Sequence, residues 1–183
     1  MEQVVTIRQA IETALAHQKA GRLQAAESIY LKILAVNPDN FDALQLLAVT
    51  VHQLGQYERA VEFYQKALLI RPAIGPVHSN LAEAYRILGR RTDAEASFRK
   101  AVDLEPGSAI AHNKLGLCSF EKGDLPAAIA SFETATSLDP GYADSKRNLG
   151  RTYLRMGRHA QGLALIGAAT GFVRFEKERH RYA

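Results

Sequence analysis

Apolar residues recur along the chain at helical spacing, and the recurrence itself repeats. Within residues 57–70, Tyr57, Ala60, Val61, Tyr64, Ala67 and Leu68 fall three, four and seven positions apart, laying one apolar stripe along a helix. The stretch before it, 41–54, is likewise apolar-periodic and runs up to Gly55. This pairing returns every 34 residues, marked by Gly21, Gly55, Gly89, Gly123 and Gly157 and by Pro38, Pro72, Pro106 and Pro140. Glycine reaches the left-handed backbone that stops a helix, and proline cannot continue one. Each period therefore predicts a first helix, a tight turn, a second helix and a short loop. A small residue (Ala26, Ala60, Ala94, Ala128, then Gly162) permits close approach, and the residue four later (Tyr30, Tyr64, Phe98, Phe132, then Ile166) fills the adjacent space. No hairpin of this kind buries its stripe alone, so neighbours must stack.

Leu47-Ala48, Gly55-Gln56-Tyr57, Ala60-Val61, Tyr64, Ala67-Leu68 and Pro72 together resemble the tetratricopeptide repeat (TPR). The resemblance implies an all-α fold, a right-handed α-solenoid of stacked antiparallel helix pairs. It covers a single TPR domain over residues 7–176, with repeats 7–40, 41–74, 75–108, 109–142 and 143–176. Residues 1–6 are a lead-in and 177–183 a basic C-terminal tail. The ends depart from the pattern: Thr13 stands where Leu47, Leu81, Leu115 and Leu149 recur, and Gly162, Ile166 and Arg174 take the alanine, aromatic and proline slots of the fifth repeat. Atypical ends are expected of a stacked array.

The apolar content of 47% and charged content of 23% fit a soluble globular protein. The apolar run from Leu163 to Ala169 is far shorter than the roughly 18–20 residues of a membrane span. Glu2 stands where a secretory signal carries basic charge, and no long apolar stretch follows, so a cytoplasmic protein is expected. Cys118 has no second cysteine to pair with and aligns with small residues, which points to packing. His78 and His112 share a slot, but Ala10, Leu44 and Lys146 at its other occurrences are not a ligand set, so no metal site is expected. No HExxH, P-loop or dinucleotide motif is present. The expectation is a non-enzymatic interaction scaffold without catalytic residues or cofactors.

In the TPR family the groove is lined chiefly by the first helix of each repeat. The resemblance thus assigns Gln45, Val49 and His52, then Ser79, Asn80, Glu83, Arg86 and Ile87, then Asn113, Leu117 and Phe120, and finally Arg147, Arg151 and Arg155 to a peptide-binding groove. Charge sharpens this picture. Before residue 143, 14 Lys and Arg face 16 Asp and Glu; from there on, nine face three. Arg147, Arg151 and Arg155 follow one another at four-residue spacing, on one helix face. Such a face suits carboxylate or phosphate; the alternative is a solvated surface, or pairing with Glu176 and Glu178. Ile87, Ile110, Leu117 and Phe120 would make the middle of the groove apolar unless they turn into the core. The expected ligand is a protein or peptide, acidic with apolar anchors. Nucleic acid is disfavoured because the pattern shows no stacking aromatics beside the arginines.

Two specific TPR roles depend on particular groove residues. The clamps for heat-shock chaperone C-termini need Lys and Asn at defined slots; Asn80 with Lys114 is a fragment of that set, while Gln45, Val49 and Ile110 break it. The TPR superhelix of O-linked N-acetylglucosamine transferases carries a recurrent groove asparagine, matched by Asn80 and Asn148 and interrupted by Leu46 and Lys114. The latter likeness keeps open an alternative, the substrate-recruiting region of a larger modifying enzyme such as a glycosyltransferase. Finally, Leu163, Ile166, Phe172, Val173 and Phe175 leave the last helix without a polar face. A covering surface is expected there: a second copy in a homo-oligomer, a further domain, or another protein.

Overall fold

The structure is a computed structural model in which residues 5–170 are described. Among them are ten helices and no strand: α1 (Ile7–Lys19), α2 (Leu23–Val36), α3 (Phe41–Gln53), α4 (Tyr57–Ile70), α5 (Gly75–Ile87), α6 (Arg91–Leu104), α7 (Ala109–Lys122), α8 (Leu125–Leu138), α9 (Ala143–Arg155) and α10 (His159–Thr170). They pack as consecutive hairpins, the all-α repeat arrangement that the periodicity predicts. The chain divides into two compact units, Met1–Pro106 with α1 to α6 and Gly107–Ala183 with α7 to α10.

The punctuation residues act as their chemistry requires. All five turn glycines have φ between 73° and 85°, the left-handed region where a side chain would be strained. Thr6, Asn40, Ser108 and Asp124 cap their helices by accepting the N–H three residues on, which satisfies a backbone group the helix leaves open. The repeat's small and aromatic slots form the core. Ala26 and Tyr30, Ala60 and Tyr64, Ala94 and Phe98, and Ala128 and Phe132 are all essentially excluded from solvent. Cys118 is buried with them, consistent with a packing role.

Within the first unit α3 also touches α5, and within the second α7 touches α9, so the first helices of successive hairpins lie side by side and share a face. In the last hairpin two glycines face each other. A Cβ built on Gly162 would lie 2.7 Å from the Gly150 carbonyl oxygen, and one built on Gly150 would lie 2.8 Å from that of Gly162. Here the two glycines meet backbone to backbone; the Gly162 slot is alanine in every earlier hairpin, and the Gly150 slot is alanine in all but the fourth, which has Gly116.

Candidate functional site on the first helices

In the second unit the site begins with the one buried amide among the predicted positions. Asn113 on α7 is 4% exposed. Its Nδ2 donates to the Tyr142 hydroxyl at 3.3 Å, and its Oδ1 accepts from Asn148 Nδ2 on α9 at 3.0 Å. The pair fixes Asn148, whose carboxamide oxygen accepts no bond among the described residues. Burial, and then the nearby Asp144 carboxylate, hold the Tyr142 phenol above its usual range, so it stays neutral. Tyr142 was not anticipated; the readable signal was its slot, where Thr6, Asn40 and Ser108 cap their helices and a tyrosine cannot.

Two turns further along α7 stands Phe120, whose ring meets two of the three arginines. The Arg155 guanidinium lies 5.0 Å and that of Arg151 5.8 Å from its centroid. Arg155 Nη1 also donates to the Phe120 carbonyl at 3.0 Å, an oxygen that accepts the Gly123 N–H as well. Arg147 instead pairs with Asp144 at 2.7 Å on its own helix. The four-residue spacing thus sets the arginines on one helix, but packing separates their roles. Arg147 is neutralised, Arg155 ties α9 to the end of α7, and Arg151 has the Phe120 ring as its contact among the described residues. An aromatic does stand beside the arginines, contrary to the sequence expectation, because the fold brings in Phe120 from the preceding hairpin. Leu117, Phe120, Asn148 and Arg151 surround a shallow recess that reaches Phe132.

The first unit's predicted positions are arranged differently. Gln45, Val49 and His52 on α3 are half-buried, with His52 edge-on to Tyr57 at 5.0 Å. On α5, Ser79 is buried, Asn80 half-buried and Ile87 exposed, while Glu83 and Arg86 pair at 2.6 Å. Gln18 Nε2 donates to Gln53 Oε1 at 3.1 Å, joining α1 to the last residue of α3 at the same 35-residue separation as Asn113 and Asn148. Ile110 of the second unit is 58% exposed, whereas Leu117 and Phe120 are half-buried against the Ala128–Phe132–Leu149–Tyr153 cluster.

On α10, Leu163 is about half exposed and Ile166 half-buried over Gly150. Phe172, Val173 and Phe175 lie outside the described residues. Among the described residues no group of three or more His, Cys, Asp or Glu converges to hold a metal ion, and His78 Nε2 sits 2.8 Å from the Pro72 carbonyl. No described helix is long and apolar enough to cross a membrane.

The fold has counterparts among solved structures. The chain is similar to a MamA fragment from Desulfovibrio magneticus RS-1, at 19% identity with a TM-score of 0.84 over 91% of this chain and 94% of the other. It is similar to YrrB, described as a TPR protein with an unusual peptide-binding site, at 23% identity and TM-score 0.75 over 93% and 86% of the two chains. It also resembles Pseudomonas aeruginosa PilF, at 19% identity and TM-score 0.81 over 93% and 78%. Among curated proteins no sequence match is found. Family models described as tetratricopeptide repeat match residues 11–76, 79–143 and 119–175. The chain belongs to the tetratricopeptide repeat family.

Proposed function

We propose that the chain is a non-catalytic protein-binding module whose second unit receives an acidic segment of a partner on the face formed by α7 and α9. The observation that carries this reading is the placement of Arg151 on the Phe120 ring beside the fixed Asn148. A guanidinium beside a ring edge or face is attracted to it without using its N–H donors, which leaves them for a carboxylate. Asn148 offers an amide oxygen to a partner backbone N–H, and Leu117 and Phe120 supply apolar contact at the recess. The peptide-binding site for which YrrB is described supports a protein ligand in general.

The test is capture of partners from native lysate by the full chain and by Arg151→Glu, with circular dichroism confirming equal helix content. The charge-reversed chain is expected to lose the bound partner by at least about tenfold, on the scale of a central charged contact. Arg147→Glu, whose residue is already paired with Asp144, is expected to change capture little. Equal capture by all three chains sinks this reading.

Self-association is the second reading, favoured by the exposure of Leu163 on a helix with little polar surface. On that reading Leu163→Glu lowers the mass measured by light scattering. A monomer before substitution refutes it.

A further inference from the structure

A second surface lies in the first unit, on the second helices of its hairpins. An open cleft of about 430 Å³ runs between α2 and α4, with Leu31, Leu34, Phe63 and Leu69 among its lining. Leu69 is 85% and Leu31 40% exposed. The repeat supplies an internal control for these positions. At the slot of Leu31 the next three hairpins carry Gln65, Arg99 and Glu133; at the slot of Leu69 the two later ones carry Asp103 and Ser137. The fold therefore accepts polar side chains at both, and the leucines of α2 and α4 are not demanded by the core. A leucine kept in water at a slot that tolerates aspartate marks a contact surface.

The rim has a sign. Lys32 and Lys66 occupy equivalent slots one repeat apart, Lys66 lining this cleft and Lys32 an adjoining depression that shares Leu31. Neither has an acidic partner among the described residues, whereas Glu27 beside them is neutralised by Arg59 at 2.7 Å. Asp39 is the one acid lining the cleft.

We infer that this cleft docks an acidic amphipathic segment of another protein, with Leu, Ile or Phe anchors entering between Leu31 and Leu69 and carboxylates meeting Lys32 and Lys66. A second copy fits less well. The most apolar stretch of this chain, α10, carries no Asp or Glu to meet the lysines. The surface is separate from the α7 and α9 face, so the two readings can fail independently.

The experiment selects a peptide display library on the full chain. The enriched peptide is then titrated by fluorescence anisotropy against the unsubstituted chain and three variants: Leu31→Gln with Leu69→Asp, Lys32→Glu with Lys66→Glu, and Arg151→Glu. Circular dichroism verifies folding, which the first pair should preserve because other hairpins carry Gln and Asp at those slots. The expected result is an enriched sequence with spaced apolar anchors and acidic residues, bound at least about tenfold more weakly by both double variants and unchanged by Arg151→Glu. No enrichment, enrichment of basic sequences, or loss confined to Arg151→Glu overturns the inference. So does a dimeric unsubstituted chain that becomes monomeric in Leu31→Gln with Leu69→Asp, since the cleft would then belong to a second copy.

Discussion

Phe132→Ala is expected to unfold the Gly107–Ala183 unit at room temperature or leave it barely folded. Phe132 is fully buried and centres the cluster of Ala128, Leu149 and Tyr153, with Leu117, Phe120, Ile129 and Leu165 packed around it. Its ring also occupies the space over Gly116, where a Cβ would come within 2.6 Å of it. Glycine there removes the atom that could otherwise follow a smaller side chain inward. Truncation therefore opens a cavity with little collapse, the expensive end of the range, and costs about 3–5 kcal/mol. At about 0.05–0.15 kcal/mol per residue, a unit of this length has a total stability of similar size. Urea unfolding followed by circular dichroism should show a large drop in midpoint. Phe132→Leu, which keeps most of the volume, should lose much less. An alanine variant with an unshifted midpoint would mean that the aromatic slot does not anchor this unit.

One helix should respond in opposite directions to the same substitution. Gly162→Ala places a methyl group 2.7 Å from the Gly150 carbonyl oxygen and 2.8 Å from Leu154 Cγ, and the first of these is backbone that yields only if α9 and α10 separate. Gly167→Ala, five residues on, meets nothing within 4 Å. Alanine is favoured over glycine in a helix by about 1 kcal/mol, so Gly167→Ala should stabilise by up to that amount. At Gly162 the overpacking cost of about 1–3 kcal/mol works against the same gain and is expected to exceed it. The two midpoints should bracket that of the unsubstituted chain. Stabilisation at both positions would show that α10 is free to move away from α9.

Much of this was legible because the repeat is read from residues with local physical roles. Gly55 and its equivalents end helices through their own backbone freedom, and Ala60 and Tyr64 reveal the packed face through spacing alone, so helix order and core could be read without tertiary knowledge. The site was harder. Arg151 and Arg155 were visible as a helical row, but nothing local tells that Phe120, in the preceding hairpin, lies under both, or that Arg147 is already paired with Asp144. The Asn113–Asn148 bond likewise joins positions 35 apart, one more than the repeat, and so escapes a comparison made column by column. The leucines at 31 and 69 do not stand out in the sequence, because spacing cannot distinguish a buried leucine from an exposed one.

The aromatic slots also set how the fold meets alkali. Tyr30 is without solvent access, and burial pushes its phenol up to about 12; Tyr64 is raised further by the same cause. An unfolded tyrosine ionises near 10. The folded chain thus holds protons that the unfolded chain releases, a contribution fully present below about pH 10 and lost as pH rises through the folded values. With no tryptophan in the sequence, the tyrosines are its dominant near-ultraviolet chromophores. The same two phenols that fill the first hairpins would turn to phenolate largely as those hairpins open, so the colour change of an alkaline titration doubles as a record of their unfolding.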